Sequence, residues 1–180
     1  LASGHPDWWT RQEEPPLSPE VYAHHLVPLL ESLNLKILLE PGRYMSGNAG
    51  ILLTTCLYEK KGQAKAFKIV DAGMNDLIRP ALYDGHHEIV TVRECDVTNR
   101  ITADVVGPIC ESGDFFCQDR EVPDFAKGEL VALMSAGAYS FTMASNYNSR
   151  PLPAEILVSG ATAQIARERQ TFTDLVAGEH

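Results

Sequence analysis

From residue 51 to residue 167 the chain is cut into short apolar segments separated by turn-forming residues, and this spacing constrains the fold more than any other feature. Ile51–Glu59 and Ala64–Asp71 flank Lys60-Lys61-Gly62-Gln63, which predicts a β-hairpin. Glu88–Arg93, Ile101–Val106, Leu130–Ser135, Ala154–Val158 and Thr162–Arg167 predict further short strands, the last two joined at Ser159-Gly160. Such a run of strands and turns predicts a mostly β domain, either a sandwich or a barrel.

The first 45 residues read differently. Residues 1–16 contain Pro6, Pro15 and Pro16 without an apolar period, which predicts a loop. Ser18-Pro19 then reads as a helix start, with the serine at the N-cap and the proline at the first helical position. Tyr22, Leu26, Leu29 and Leu33 make one apolar stripe, interrupted by a Pro28 expected to kink the helix, and Asn34 is a natural stop. Lys36–Leu39 predicts a short buried strand running into Glu40-Pro41-Gly42-Arg43. Helix, turn, strand and loop is the rhythm of an α/β unit. The chain is therefore expected to divide into the tail of an α/β domain (1–45) and a β domain (46–180).

Composition narrows the classes of function. The 180 residues are 44% hydrophobic, enough for a real core and too many for disorder. No apolar run approaches the roughly 18 residues of a membrane span. The net charge of −9 repels phosphate backbones, so nucleic acid is not an expected partner, although a small anionic ligand responds to local charge instead. Cys56, Cys95, Cys110 and Cys117 include no C-x-x-C pair and make a sparse disulfide framework, which suggests a reducing, cytoplasmic setting. The doublets His24-His25 and His86-His87 point their side chains apart, and no metal site is expected.

Four segments carry candidate chemistry. In Glu40-Pro41-Gly42-Arg43, Gly42 permits close backbone approach and Arg43 offers a forked donor to phosphate or carboxylate. Asp71-Ala72-Gly73-Met74-Asn75-Asp76-Leu77-Ile78-Arg79-Pro80-Ala81-Leu82-Tyr83 presents Arg79 and Tyr83 from a polar, irregular loop. In Cys110-Glu111-Ser112-Gly113-Asp114 a thiol adjoins a carboxylate, whose negative charge favours a thiol that keeps its proton, a donor and not an attacking thiolate. Ser135-Ala136-Gly137-Ala138-Tyr139 surrounds Tyr139 with small residues and continues through Ser145-Asn146-Tyr147-Asn148 to Arg150-Pro151. Taken singly, each has an ordinary reading: a turn, a surface ion pair, a small buried cysteine, a packed core loop.

In order, the four segments resemble the C-terminal part of the diaminopimelate decarboxylase family, pyridoxal-phosphate enzymes of the alanine-racemase-like fold type. The resemblance runs from about Glu14 to Arg169. It implies a C-terminal β-sandwich or β-barrel domain preceded by the last helix–strand unit of a (β/α)8 TIM barrel that binds the cofactor. It implies that Glu40, Pro41, Gly42, Arg43 and Tyr139 line pyridoxal 5'-phosphate, and that Arg43, Arg79, Tyr83, Glu111 and Tyr139 contact the substrate. Cys110 would be the catalytic proton donor, with Cys110 and Glu111 serving the neighbouring subunit's site in a homodimer. The implied reaction converts meso-2,6-diaminopimelate to L-lysine and carbon dioxide, the last step of lysine biosynthesis.

Lys36, Lys60, Lys61, Lys65, Lys68 and Lys127 all lie outside any segment resembling the family's Schiff-base lysine. The expectation is therefore a C-terminal portion that is inactive alone. Two alternatives remain: a non-catalytic dimerisation module or pseudoenzyme remnant, and a related decarboxylase acting on ornithine or arginine. The joint presence of Arg79, Tyr83, Cys110, Glu111 and Tyr139 argues against a decayed site.

Overall fold

The computed structural model describes residues 17–93 and 99–179. The loop expected over residues 1–16 and Cys95 lie outside the described residues. Helix α1 (Pro19–Glu31) starts as its local chemistry requires: the Val21 N–H donates to the Ser18 hydroxyl at 3.3 Å and Pro19 occupies the first turn. The helix continues through Pro28 as a single element, and Asn34 takes a left-handed φ of 47° in the turn beyond. None of its residues is buried; Leu29 is 69% and Leu33 51% exposed. Tyr22 and Leu26 are half-buried, so the apolar stripe is only partly covered within the described residues.

Lys36–Leu39 departs from the expected strand. It is exposed and pairs with no strand among the described residues. Apolar character alone does not make a strand, because a buried parallel strand exists only through hydrogen-bonded neighbours on its edges. Beyond it, Gly42–Ser46 forms a short helix, α2, followed by a 3-10 turn over Gly47–Ala49.

The remaining chain forms a six-stranded sheet from β1 (Leu52–Lys61), β2 (Ala66–Val70), β3 (Ile89–Thr91), β4 (Arg100–Val106), β5 (Phe115–Pro123) and β6 (Leu130–Leu133). Their order is β3-β6-β1-β2-β4-β5. The expected hairpin is β1–β2, antiparallel, with Glu59 opposite Lys68. β2 and β4 run parallel; the other pairings are antiparallel. The two ends of the order approach each other, and Arg120 of β5 donates to the His87 carbonyl just before β3 at 2.7 Å. The sheet is thus nearly closed and barrel-like. Cys56, Val70, Leu77, Ile89, Val105, Phe116, Val122, Phe125, Val131 and Leu133 fill it.

β5 has no counterpart in the periodicity reading. Asp119-Arg120-Glu121 breaks its apolar pattern, Asp119 adopts a left-handed φ of 47°, and the register against β4 slips between Ala103 and Val105. A bulge of this kind removes the strict alternation by which a strand is read. The last expected hairpin is present as β7 (Glu155–Ser159) and β8 (Thr162–Arg167), a separate two-stranded sheet, followed by the short helix α4 (Phe172–Leu175); Arg79–Tyr83 forms α3.

Candidate active site

The site is built where loops from the open end of the sheet are stitched to the segment preceding it. Gly137 donates its N–H to the Gly47 carbonyl at 2.9 Å, Ala136 donates to the Gly50 carbonyl at 2.8 Å, and the Ser135 hydroxyl donates to Asn48 Oδ1 at 2.6 Å. This backbone seam tolerates no side chain at 137, since a Cβ there would overlap the Ser46 carbonyl and crowd Gly50 and Gly47. Gly137→Ala is expected to cost about 2 kcal/mol through forced backbone shifts, read as a lower urea midpoint. An unchanged midpoint would show that the seam yields freely.

The seam fixes Tyr139 beside the Glu40–Arg43 turn. A Cβ on Gly42 would stand 3.0 Å from the Tyr139 hydroxyl. Tyr139 itself holds a left-handed φ of 58°, uncommon for a bulky residue and a feature that clusters at ligand sites. The residue remains 40% exposed. Arg43 is buried, packed against Gly47, whereas Glu40, Pro41 and Gly42 are exposed.

The other two segments are locked by buried carboxylates. Asp114 accepts the Met74 N–H at 2.7 Å and the Ile109 N–H at 2.6 Å, tying the Cys110–Asp114 loop to the loop after β2. Gly113 packs against Met74 and Ala81, setting that loop against α3, where the Arg79 guanidinium lies 5.7 Å from the Tyr83 ring. Asp76 accepts the Gly73 N–H at 2.9 Å, and its own carbonyl accepts the Ser140 hydroxyl at 3.2 Å. Burial pushes both carboxyls upward, with backbone N–H donors and the positive charge of Arg150 opposing. Arg150 donates to Asn75 Oδ1 at 2.9 Å and to the Asp71 carbonyl at 2.5 Å.

Each of the sequence-derived candidates thus has a place. Gly42 meets Tyr139, and Arg79 meets Tyr83. Cys110, Glu111 and Tyr83 are exposed. Glu111 accepts a hydrogen bond from the Tyr147 hydroxyl at 3.0 Å. The two groups are joined through Ser140–Asp76 and through the Ser145 N–H, which donates to the Asn75 carbonyl at 2.9 Å. Asp114, Arg150, Asn75 and Tyr147 carry this framework, and the sequence reading assigned none of them a role. An Arg directly before a proline in a polar loop, with aspartates in the other loops, was the available signal.

Residues 19–137 match the pyridoxal-dependent decarboxylase C-terminal sheet domain. The chain belongs to this decarboxylase family. Among curated relatives, diaminopimelate decarboxylase from Aquifex aeolicus is 46% identical over 166 residues, covering 92% of this chain and 39% of that protein. The Pseudomonas fluorescens enzyme of the same name is 48% identical over 169 residues, covering 94% of this chain and 40% of that protein. The crystal structure of diaminopimelate decarboxylase from Helicobacter pylori complexed with L-lysine aligns with a TM-score of 0.82 at 39% identity, over 92% of this chain and 41% of that one. The chain therefore spans about two-fifths of the length of the decarboxylases it matches. Among the described residues, no helix of this family member is long and apolar enough to cross a membrane.

Proposed function

We propose that this chain forms the C-terminal part of a cytoplasmic, homodimeric diaminopimelate decarboxylase that converts meso-2,6-diaminopimelate to L-lysine and carbon dioxide. In this reading residues 1–45 belong with the cofactor-binding barrel and residues 46–180 form the substrate-binding and dimerisation domain. The observation that carries it is Gly42 against Tyr139, which joins the Glu40–Arg43 turn to the sheet domain, while Asp114 anchors the loop that presents Cys110 and Glu111 from that same domain.

The donor chemistry of the Glu40–Arg43 turn suits pyridoxal 5'-phosphate. A side chain at 42 would stand against the Tyr139 hydroxyl, and Arg43 follows on the same turn. Donors and positive charge of this kind match a phosphate. Glu40, Pro41, Gly42, Arg43 and Tyr139 would hold the group, which supplies, when bound, the electron sink needed for loss of carbon dioxide. Arg43 and Arg79 neutralise the substrate's distal carboxylate, with Tyr83 beside Arg79. Glu111 receives its distal ammonium. Cys110, presented by the loop that Asp114 anchors, delivers a proton to the α-carbon after carbon dioxide has left. In the dimer, Cys110 and Glu111 act on the partner's site.

The test compares the 180-residue chain with the full-length protein, each given pyridoxal phosphate and meso-diaminopimelate. Lysine is expected from the full-length protein only. Lysine made by the chain alone would refute the division of labour proposed here. Preference of the full-length protein for ornithine or arginine would replace the substrate.

A further inference from the structure

We propose that Tyr147 is a positioning residue for Glu111 and that this pair sets the site's demand for a distal ammonium group on the substrate; the proposal rests on the reading of Glu111 given above. Glu111 is exposed on a loop, where a free glutamate side chain samples many rotamers and loses that freedom only at an entropic cost. Its carboxylate is nevertheless oriented from both sides. Oε2 accepts the Tyr147 hydroxyl at 3.0 Å and Oε1 accepts the Gly113 N–H at 3.4 Å.

The tyrosine stands on a braced platform. Its N–H donates to the Ser145 hydroxyl at 3.3 Å, and the Ser145 N–H donates to the Asn75 carbonyl at 2.9 Å. The Asn146 amide donates to the Arg150 carbonyl at 2.9 Å and to Gln170 Oε1 at 2.6 Å. Asn148 and Ser149, both left-handed at φ 57° and 56°, turn the chain so that Arg150 reaches back to Asn75. One end of the Tyr147–Glu111 hydrogen bond is therefore fixed to the framework of the site.

A phenol donates one hydrogen bond, so it occupies one lone pair of the carboxylate and leaves the rest to an incoming cation. The same bond holds Glu111 below the ordinary carboxylate range and pushes the Tyr147 phenol up, so the acceptor stays charged and the donor stays protonated. A carboxylate held charged and aimed favours a substrate whose far end carries an ammonium over one that lacks it.

Tyr147→Phe in the full-length decarboxylase tests this. Losing a hydrogen bond to a charged group is expected to raise KM for meso-diaminopimelate about tenfold while kcat changes little. Discrimination against 2-aminopimelate, which lacks the distal amino group, should fall by a similar factor. In a Glu111→Gln background the same tyrosine substitution should add nothing. In the 180-residue chain, the Glu111 carboxylate followed by NMR should titrate at higher pH after Tyr147→Phe. An unmoved Glu111 titration, or a KM effect of equal size in the Glu111→Gln background, overturns the role of Tyr147 and leaves the Glu111 reading intact. A Glu111→Gln enzyme with unchanged KM and unchanged discrimination overturns the substrate role of Glu111 itself, and the proposal with it.

Discussion

Replacing Lys68 by methionine is expected to lower the stability of the folded chain by about 3 kcal/mol, measured as the loss in unfolding free energy in urea. Lys68 is 1% exposed on β2, at an inward position of the strand's alternation that it shares with Val70. Its ammonium donates to Glu59 at 2.7 Å, to Asp124 at 2.6 Å and to the Phe125 carbonyl at 2.6 Å, and lies 5.3 Å from the Phe125 ring. Methionine matches the stem in size, so little packing is lost. What is lost is the cation: two carboxylates then face each other, and the Phe125 carbonyl loses a donor. Both carboxylates keep roughly 30% exposure, which places the cost at the lower end for a broken buried pair.

The same cluster gives the loss a pH signature. Burial alone would lower the Lys68 pKa, but Asp124 and Glu59 outweigh it and raise the net value. A raised lysine contributes stability in full below its unfolded pKa, and the contribution disappears as pH rises through the folded value. Glu59 is lowered, chiefly by the Lys68 hydrogen bond, so its contribution is full above its unfolded pKa and disappears as pH falls through the folded value. The gap between the wild-type chain and Lys68→Met should therefore be widest between about pH 5 and pH 10 and narrow on either side. A gap that is flat from pH 3 to pH 10 would mean that packing, not charge, is what the lysine provides.

Cys110→Ala in the full-length decarboxylase is expected to lower kcat by about 10²- to 10⁴-fold, the range for loss of a positioned general acid. The thiol is exposed on a loop whose base is fixed by Asp114, so alanine should leave the loop and the fold in place. Stability in urea should therefore match the wild type while lysine formation collapses. Mixing this variant with one that lacks the Schiff-base lysine adds a second readout. If Cys110 serves the partner's site, hybrid dimers contain one intact site and activity returns. Full activity in Cys110→Ala would remove the cysteine from the mechanism; loss without recovery on mixing would place it in its own subunit's site.

Lys68 and Cys110 also mark the limits of what could be read in advance. The Cys110 segment was legible as part of the family pattern because five consecutive residues in a recognisable order carry the resemblance. Lys68 was legible only as a lysine that did not fit the Schiff-base segment. A period-2 reading scores a charged residue as outward-facing, and its partners lie 9 and 56 residues away. β5 was missed for a related reason, since a bulge and a charged triplet erase the alternation. Lys36–Leu39 failed in the opposite sense, having the composition of a strand without neighbours to pair with.

The sequence by itself determined the helix start at Ser18-Pro19, the β1–β2 and β7–β8 hairpins, and the family, because each depends on residues adjacent in the chain or on motif order. Only the tertiary structure decided that β2 runs parallel to β4 and that Asp114 reaches back 40 residues to Met74. It also decided that Arg150 spans 75 residues to Asn75 and that Tyr147 aims Glu111. Turn chemistry and periodicity act over a few residues. Contacts between distant segments must offset loop-closure entropy and depend on how the whole sheet closes, which no local pattern records.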